Sequence, residues 1–143
     1  MLIRLLSLLG LLAITVAIHS IGLVAMLRWV LRSPNLETMR IWPGTWLLVR
    51  VVWSLMVIHV LEIGLWASFY WWRGFMPDAA SALYFSGVTY TTIGYGDLLL
   101  PVESRLLGPV EGLTGILMCG LSTGFFFAMV SRIHRVSANR ERL

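Results

Sequence analysis

Charge is scarce in this chain. Of its 143 residues 13% are charged, against 58% hydrophobic, and seven are tryptophan. A soluble domain of this size needs far more polar surface to cover its core, so that class is excluded. Cysteine is nearly absent as well. The single Cys119 sits inside an apolar run, which rules out an intrachain disulfide and reads as a small packing residue rather than a redox group. The sequence has no metal-spaced Cys/His cluster, no nucleophile beside a base and no phosphate-binding loop. Covalent chemistry and a cofactor are therefore not expected. Internal repeats and low-complexity segments are missing too, and the length allows at most one domain.

What fills the chain instead is three long apolar runs. Leu5 to Leu27 carries no charge and, as a helix, reaches about 34 Å, enough to cross a bilayer. Val51 to Trp72 holds one charge, Glu62, and Gly112 to Val130 holds none. The pattern predicts an integral, multi-pass membrane protein with helices over about 4–31, 46–72 and 108–134. The first run is about twice as long as a signal-peptide core, and Arg28 and Arg32 follow it rather than precede it. It is expected to be a retained helix. "SPNLETMRIWPGTW" reads as a connector broken by Pro34 and the Pro43-Gly44 pair. "FYWW" at the end of the second run, with Trp42 and Trp46 at its start, marks the two interfaces.

The net charge of +4 is distributed in a way that points away from nucleic acid as a partner. Arg28, Arg32, Arg40 and Arg50 lie between the first two runs, and Arg132, Arg135, Arg140 and Arg142 follow the third. Short basic flanks stay in the cytoplasm, which predicts a cytoplasmic C-terminus and an external N-terminus. The segment from Arg73 to Glu111 then faces out. Its Asp78, Asp97, Glu103 and Glu111 against Arg73 and Arg105 give a net acidic entrance that concentrates cations.

In that outward segment stands "TTIGYGD", Thr91 to Asp97. Chance, a tight turn, and a site for a dehydrated cation all have to be weighed. The preceding "MPDAASALYFSGVTYTT" is too short and polar to span, yet it opens like a helix, with Pro77 for the first turn and Asp78 at the positive end. Since "GDLLLPVES" must lead back to the third span, residues 78–97 are predicted to be re-entrant. Irregular backbone at membrane depth survives only when buried in protein or lining a water-filled path. If "TIGYG" lies extended along a symmetry axis, inward carbonyls require left-handed angles at alternate residues, and Gly94 and Gly96 are so spaced. The oxygens of Thr92, Ile93, Gly94 and Tyr95, with the Thr92 hydroxyl, would then replace the hydration shell of a potassium ion in cages shared by four chains. In this picture Ile93 and Tyr95 point outward and pack the cage against the short helix.

"TTIGYGD" resembles the signature of the potassium channels, and "ALYFSGVTYTTIGYGD", residues 82–97, resembles their pore helix and filter without a gap. The arrangement is similar over about residues 46–131. The resemblance implies an all-α membrane protein whose pore domain, 46–134, has an outer helix, pore helix, filter and inner helix. It is preceded by an extra helix and basic linker, 1–45, and followed by a short basic tail, 135–143. It also implies a homotetramer in which Thr92, Ile93, Gly94, Tyr95 and Gly96 form the potassium sites, with the ion at Thr92, Ile93, Gly94 and Tyr95. Asp97 would brace the outer end against Tyr84. Ile93 stands where valine is commoner in the family. Residues 98–111 make a longer approach to the inner helix than the simplest members have, no span carries arginine at every third position, and the tail is too short for a gating domain.

The remaining signals are secondary. Of the glycines at 112, 115, 120 and 124, Gly120 is the preferred candidate for a gating hinge and Gly115 the next, with close helix packing as the alternative. Phe125, Phe126 and Phe127 lie just below, where they narrow the inner mouth or pack outward. Glu62 and His59, three apart on one helical face, form a candidate intramembrane polar site. A proton-sensing or metal-binding pair is one reading. The preferred one is structural, with Glu62 protonated or bonded to the back of the pore helix. His19 reads as a satisfied packing residue. The expected function is a potassium-selective channel in a cell membrane, with K+ as permeant ion and the bilayer and three further copies as partners. A weakly selective cation pore and a non-conducting auxiliary subunit are the alternatives. A small, disulfide-free chain suits a prokaryotic inner membrane.

Overall fold

The computed structural model describes residues 2–32 and 41–140, with 2–5, 41, 43 and 132–140 by backbone only. The connector around Pro34 and Arg40, the residue Arg142, and the side chains of Arg132, Arg135 and Arg140 lie outside the described residues. Among the described residues four helices follow in order: α1 (Leu2–Leu31), α2 (Ile41–Trp72), α3 (Ala79–Tyr90) and α4 (Leu107–Arg140), with a 3-10 turn at Val102–Ser104. Among the described residues three stretches are long and apolar enough to cross a membrane: 6–31, 44–72 and 102–131. The fourth helix, α3, is the short one between the second and third.

Two boundaries differ from the sequence reading. Helix α2 starts at Ile41 and runs through Pro43-Gly44 instead of being broken there. Proline is tolerated in a first turn, where its missing N–H has no partner to lose. Helix α4 continues to Arg140, beyond the expected end of the third helix.

The chain leaves α2 through a Schellman turn. Gly74 has φ +67°, its N–H donates to the Trp71 carbonyl at 2.9 Å, and the Phe75 N–H reaches back to Tyr70 O at 2.9 Å. Helix α3 then starts at an Asp78 cap, whose Oδ1 accepts from the Ser81 N–H at 2.8 Å and whose Oδ2 accepts from the Ser81 hydroxyl at 2.9 Å. Pro77 therefore precedes the cap rather than occupying the first turn. These bonds to the charged form hold the Asp78 carboxyl below its ordinary range.

Two apolar clusters hold the helices. The outer one joins Leu11 of α1, Trp66, Ala67 and Tyr70 of α2, Ala82 and Phe85 of α3, and Met76 and Leu100 of the connections. The inner one joins Met26 and Val30, Val51, Leu55 and Ile58, and Met129 of α4. Phe125 and Phe126 pack against the inner cluster, while Phe127 is 72% exposed. Between the clusters lies a layer of buried polar groups: His19, Glu62, Ser122 and the Tyr90 ring. A helix that is apolar all round, as α1 and α2 are, has no polar face to offer water.

Candidate functional site

The segment after α3 has an unusual backbone. Thr92, Gly94 and Gly96 have φ of +62°, +59° and +77°, so left-handed residues alternate with ordinary ones along it. Glycine takes such angles without cost, but a threonine does not, and Thr92 is the described residue other than glycine that adopts one. The sequence spacing pointed to the two glycines for these angles, and singled out Thr92 only as an ion ligand.

The donors of this segment turn one way. The N–H groups of Ile93 and Gly94 both reach Val88 O, at 2.9 and 3.2 Å, and that of Thr92 reaches Thr89 O at 3.0 Å. The last carbonyls of α3 are thereby satisfied by the residues that follow. Among the described residues no backbone donor reaches the carbonyls of Thr92, Ile93, Gly94 or Tyr95. Every residue from Thr91 to Asp97 is exposed in the single chain. A run of carbonyls free of backbone donors, held by N–H groups anchored to a helix end, is suited to binding cations.

Ile93 and Tyr95 were expected to pack the segment against the short helix. In the single chain they are 55% and 70% exposed. At the outer end, Tyr84 donates to Asp97 Oδ2 at 2.7 Å, and Asp97 Oδ1 accepts from the Leu98 N–H at 3.1 Å. The structure thus brings together Tyr84 and Asp97, the pair singled out from the sequence. The carboxylate beside it raises the Tyr84 phenol above its ordinary range, chiefly through this hydrogen bond.

Helix α3 is also held from behind, at two positions one turn apart. Ser86 donates to Glu111 Oε1 at 2.5 Å and lies 2.9 Å from the Ile63 carbonyl. Tyr70 donates to the other Glu111 oxygen at 2.7 Å. One turn on, the Tyr90 hydroxyl donates to Glu62 Oε2 in a short hydrogen bond. Each buried carboxylate thus ties α3 to its neighbours, Glu111 from α4 and Glu62 from α2.

Glu111 corrects the sequence reading. It was placed with the acidic entrance, yet it is fully buried among Tyr70 and Ser86. An ionisable residue opening a membrane span marks a buried partner by default, and that signal was present in the sequence but applied to Glu62 alone. Asp78, Asp97 and Glu103 are exposed.

Around Glu62 the polar layer closes into a ring. His19 Nδ1 lies 3.0 Å from Oε1, and His59 Nδ1 lies 3.3 Å from Oε2 and 3.0 Å from the Tyr90 hydroxyl. Both distal ring nitrogens face one hydroxyl, Ser122 Oγ, at 3.0 Å from His59 and 3.5 Å from His19. All four helices contribute. The pair His59 and Glu62 is therefore part of a larger group; His19 is indeed buried and satisfied, but its membership was not visible from spacing.

The two hinge candidates differ. A Cβ on Gly115 would lie 2.0 Å from the Tyr90 carbonyl oxygen, so this glycine lets α4 approach the end of α3. Gly120 has open space around it, and α4 runs unbroken through both.

Residues 44–132 match the family model described as Ion channel. No curated protein and no solved structure matches the chain.

Proposed function

The chain belongs to the ion channel family, and from that premise we propose that it is a potassium-selective channel assembled from four copies. Members of the family conduct ions passively. The proposal concerns which ion, by which residues and in what assembly.

The carrying observation is the backbone of residues 92–96. Positive φ at Thr92, Gly94 and Gly96, with N–H groups folded back on Val88 and Thr89, leaves the carbonyls of Thr92, Ile93, Gly94 and Tyr95 free of backbone donors. Four such strands around an axis give stacked rings of oxygens that replace the hydration shell of K+, and the Thr92 hydroxyl adds a further ring. One chain supplies one strand, so one chain alone makes no cage. The exposed Ile93 and Tyr95 supply apolar surface for contacts between copies. In this reading 78–97 is re-entrant from the outer face, and the carbonyl end of α3 aims its partial negative charge at the ion path. The basic flanks place the C-terminus in the cytoplasm and the N-terminus outside. Helix α1 lies against α2 and α4 and braces the pore from its outer side.

Flux from liposomes holding the purified protein tests the reading. Expected is barium-sensitive efflux that prefers potassium to sodium. Efflux with equal preference for the two ions would leave a weakly selective cation pore, and no efflux from well-formed tetramers would leave a channel shut until its stimulus arrives or a subunit that needs a partner.

A further inference from the structure

The ring behind α3 holds the helices together, and its atoms also have the composition and spacing of a metal centre. His19, His59 and Glu62 each offer one ligand atom, all within 4.8 Å of one another. His19 and Glu62 are fully buried, and His59, at 19% exposure, leaves one side open to entry. Both imidazoles face Glu62 through Nδ1, at 3.0 and 3.3 Å. Ligand bonds of about 2.0–2.1 Å in a tetrahedral zinc site put neighbouring donor atoms roughly 3.3 Å apart. The His19–Glu62, His59–Glu62 and His59–Tyr90 contacts, at 3.0, 3.3 and 3.0 Å, are close to that edge length.

Hydrogen accounting admits an occupant. With both imidazoles neutral and both Nδ1–H groups turned to Glu62, each Nε2 is an acceptor. The two Nε2 atoms share one hydroxyl, Ser122 Oγ, which has one hydrogen to give. In that state one Nε2 is left without a donor, and a proton on Glu62, relayed through Tyr90 to His59 Nδ1, or a cation at the Nδ1 atoms completes the ring. With both Nδ1 lone pairs on a cation, each Nε2 carries its hydrogen, and the two lone pairs of Ser122 Oγ accept both. That is the outer-shell arrangement that orients metal-bound histidines.

We infer that His19, His59 and Glu62 bind a Zn2+ ion, with Tyr90 as the fourth ligand and Ser122 orienting both imidazoles. Calcium and magnesium want oxygen ligands, whereas two of these are imidazole nitrogens. Charge selects Tyr90. Zn2+ against the Glu62 carboxylate alone leaves a net positive charge in the bundle, and a Tyr90 phenolate cancels it, its proton passing to solvent. The ion would clamp α1, α2 and the end of α3 on one centre, with α4 attached through Ser122. The binding itself is independent of potassium selectivity.

The test is titration of the metal-stripped, detergent-purified full chain with Co2+, a spectroscopic stand-in for Zn2+. One Co2+ per chain is expected, with the visible absorption of a four-coordinate site, lost on adding Zn2+. Ser122→Ala retains every ligand and should weaken binding by about 10–100-fold. Tyr90→Phe should change the Co2+ spectrum and remove one released proton per ion. His19→Gln and Glu62→Gln should abolish the spectrum. Wild-type protein that is monodisperse and takes up no Co2+ overturns the proposal without any variant, since an extra proton would then complete the ring. So does unchanged binding in folded His19→Gln.

Discussion

The Tyr90 carbonyl oxygen occupies the place that a side chain on Gly115 would need, 2.0 Å from its Cβ. Backbone meets backbone there, at the point where α4 crosses the end of α3, so neither partner yields by rotating a side chain. Gly115→Ala is expected to destabilise the fold by about 1–3 kcal/mol through overpacking, despite alanine's better helix propensity. Thermal unfolding of the variant in detergent checks this. A variant as stable as the wild type would show that the two helices do not approach this closely.

Gly120 gives the contrasting expectation. Nothing lies within 4 Å of its would-be Cβ. Gly120→Ala should fold normally and gain up to about 1 kcal/mol of helix stability. If the inner helix bends there during opening, the same substitution lowers flux while leaving thermal stability unchanged or raised. Stability and flux measured on one preparation separate a hinge from a packing glycine, because Gly115→Ala should lower both.

The two buried carboxylates secure the back of α3, and Glu111 is the simpler to test. Its oxygens accept from Ser86 at 2.5 Å and Tyr70 at 2.7 Å. Glu111→Gln turns one of those acceptors into a donor facing a hydroxyl, at an expected cost of about 1–3 kcal/mol. Tyr70→Phe should cost less, since it removes one donor and leaves the Ser86 bond in place. Melting temperatures of the two variants, compared under identical conditions, test the ranking.

Why the sequence reading reached some of these groups and not others has a physical explanation. The three apolar runs and the motif at 91–97 are local signals, legible from composition and spacing alone. Tyr84 and Asp97 are also close in sequence, and the geometry of a helix followed by a return strand brings them together. Glu111, His19 and Ser122 are different. Their partners stand 25 residues or more away along the chain, so only the packing of α1 and α4 against α2 reveals the network. The break expected at Pro43-Gly44 failed for a different reason: the pair falls at a helix start, where proline is harmless.

Asp78 gives a pH dependence whose sign follows from its shift. Its carboxyl is held below the ordinary range by the Ser81 N–H and hydroxyl, so the folded state binds this proton less readily than the unfolded chain does. The contribution of the cap is complete above the ordinary carboxylate range, about pH 4, and falls away as pH drops through the lower folded value. Asp78→Ala should therefore be less stable than the wild type near neutral pH. The gap should narrow on acidification, as measured by unfolding at a series of pH values. A gap that stays constant down to the lowest pH would mean the carboxylate does not cap α3.

On the proposed function, the Tyr84–Asp97 bond is expected to bear on conduction more than on folding of the single chain, where both groups are exposed. Tyr84→Phe removes the donor and leaves the ring in place. Assembly should be unaffected, while sustained potassium efflux falls several-fold as the outer end of the strand loses its tether. Asp97→Asn keeps an acceptor oxygen and should be milder. Equal efflux from Tyr84→Phe and wild type would mean that the bond does not steady the filter.

The sharpest test of the filter assignment lies at Gly94, whose φ is +59°. No atom outside the adjoining residues lies within 4 Å of a Cβ placed there, so Gly94→Ala introduces no clash within the chain. What it introduces is a left-handed angle for an L-residue, at roughly 1–2 kcal/mol per chain. In a tetramer that strain arises four times around one ring. Relaxing it means turning the peptide, which swings a carbonyl away from the axis and removes a ligand of the ion. The variant is therefore expected to assemble and to insert in liposomes as the wild type does. Its preference for potassium over sodium should collapse, since the ring that replaces the hydration shell is no longer complete. Thr92→Ser, which keeps the hydroxyl and the carbonyl, should retain the preference. If Gly94→Ala instead conducts with selectivity unchanged, these carbonyls do not coordinate the ion, and the filter must be sought elsewhere along the pore.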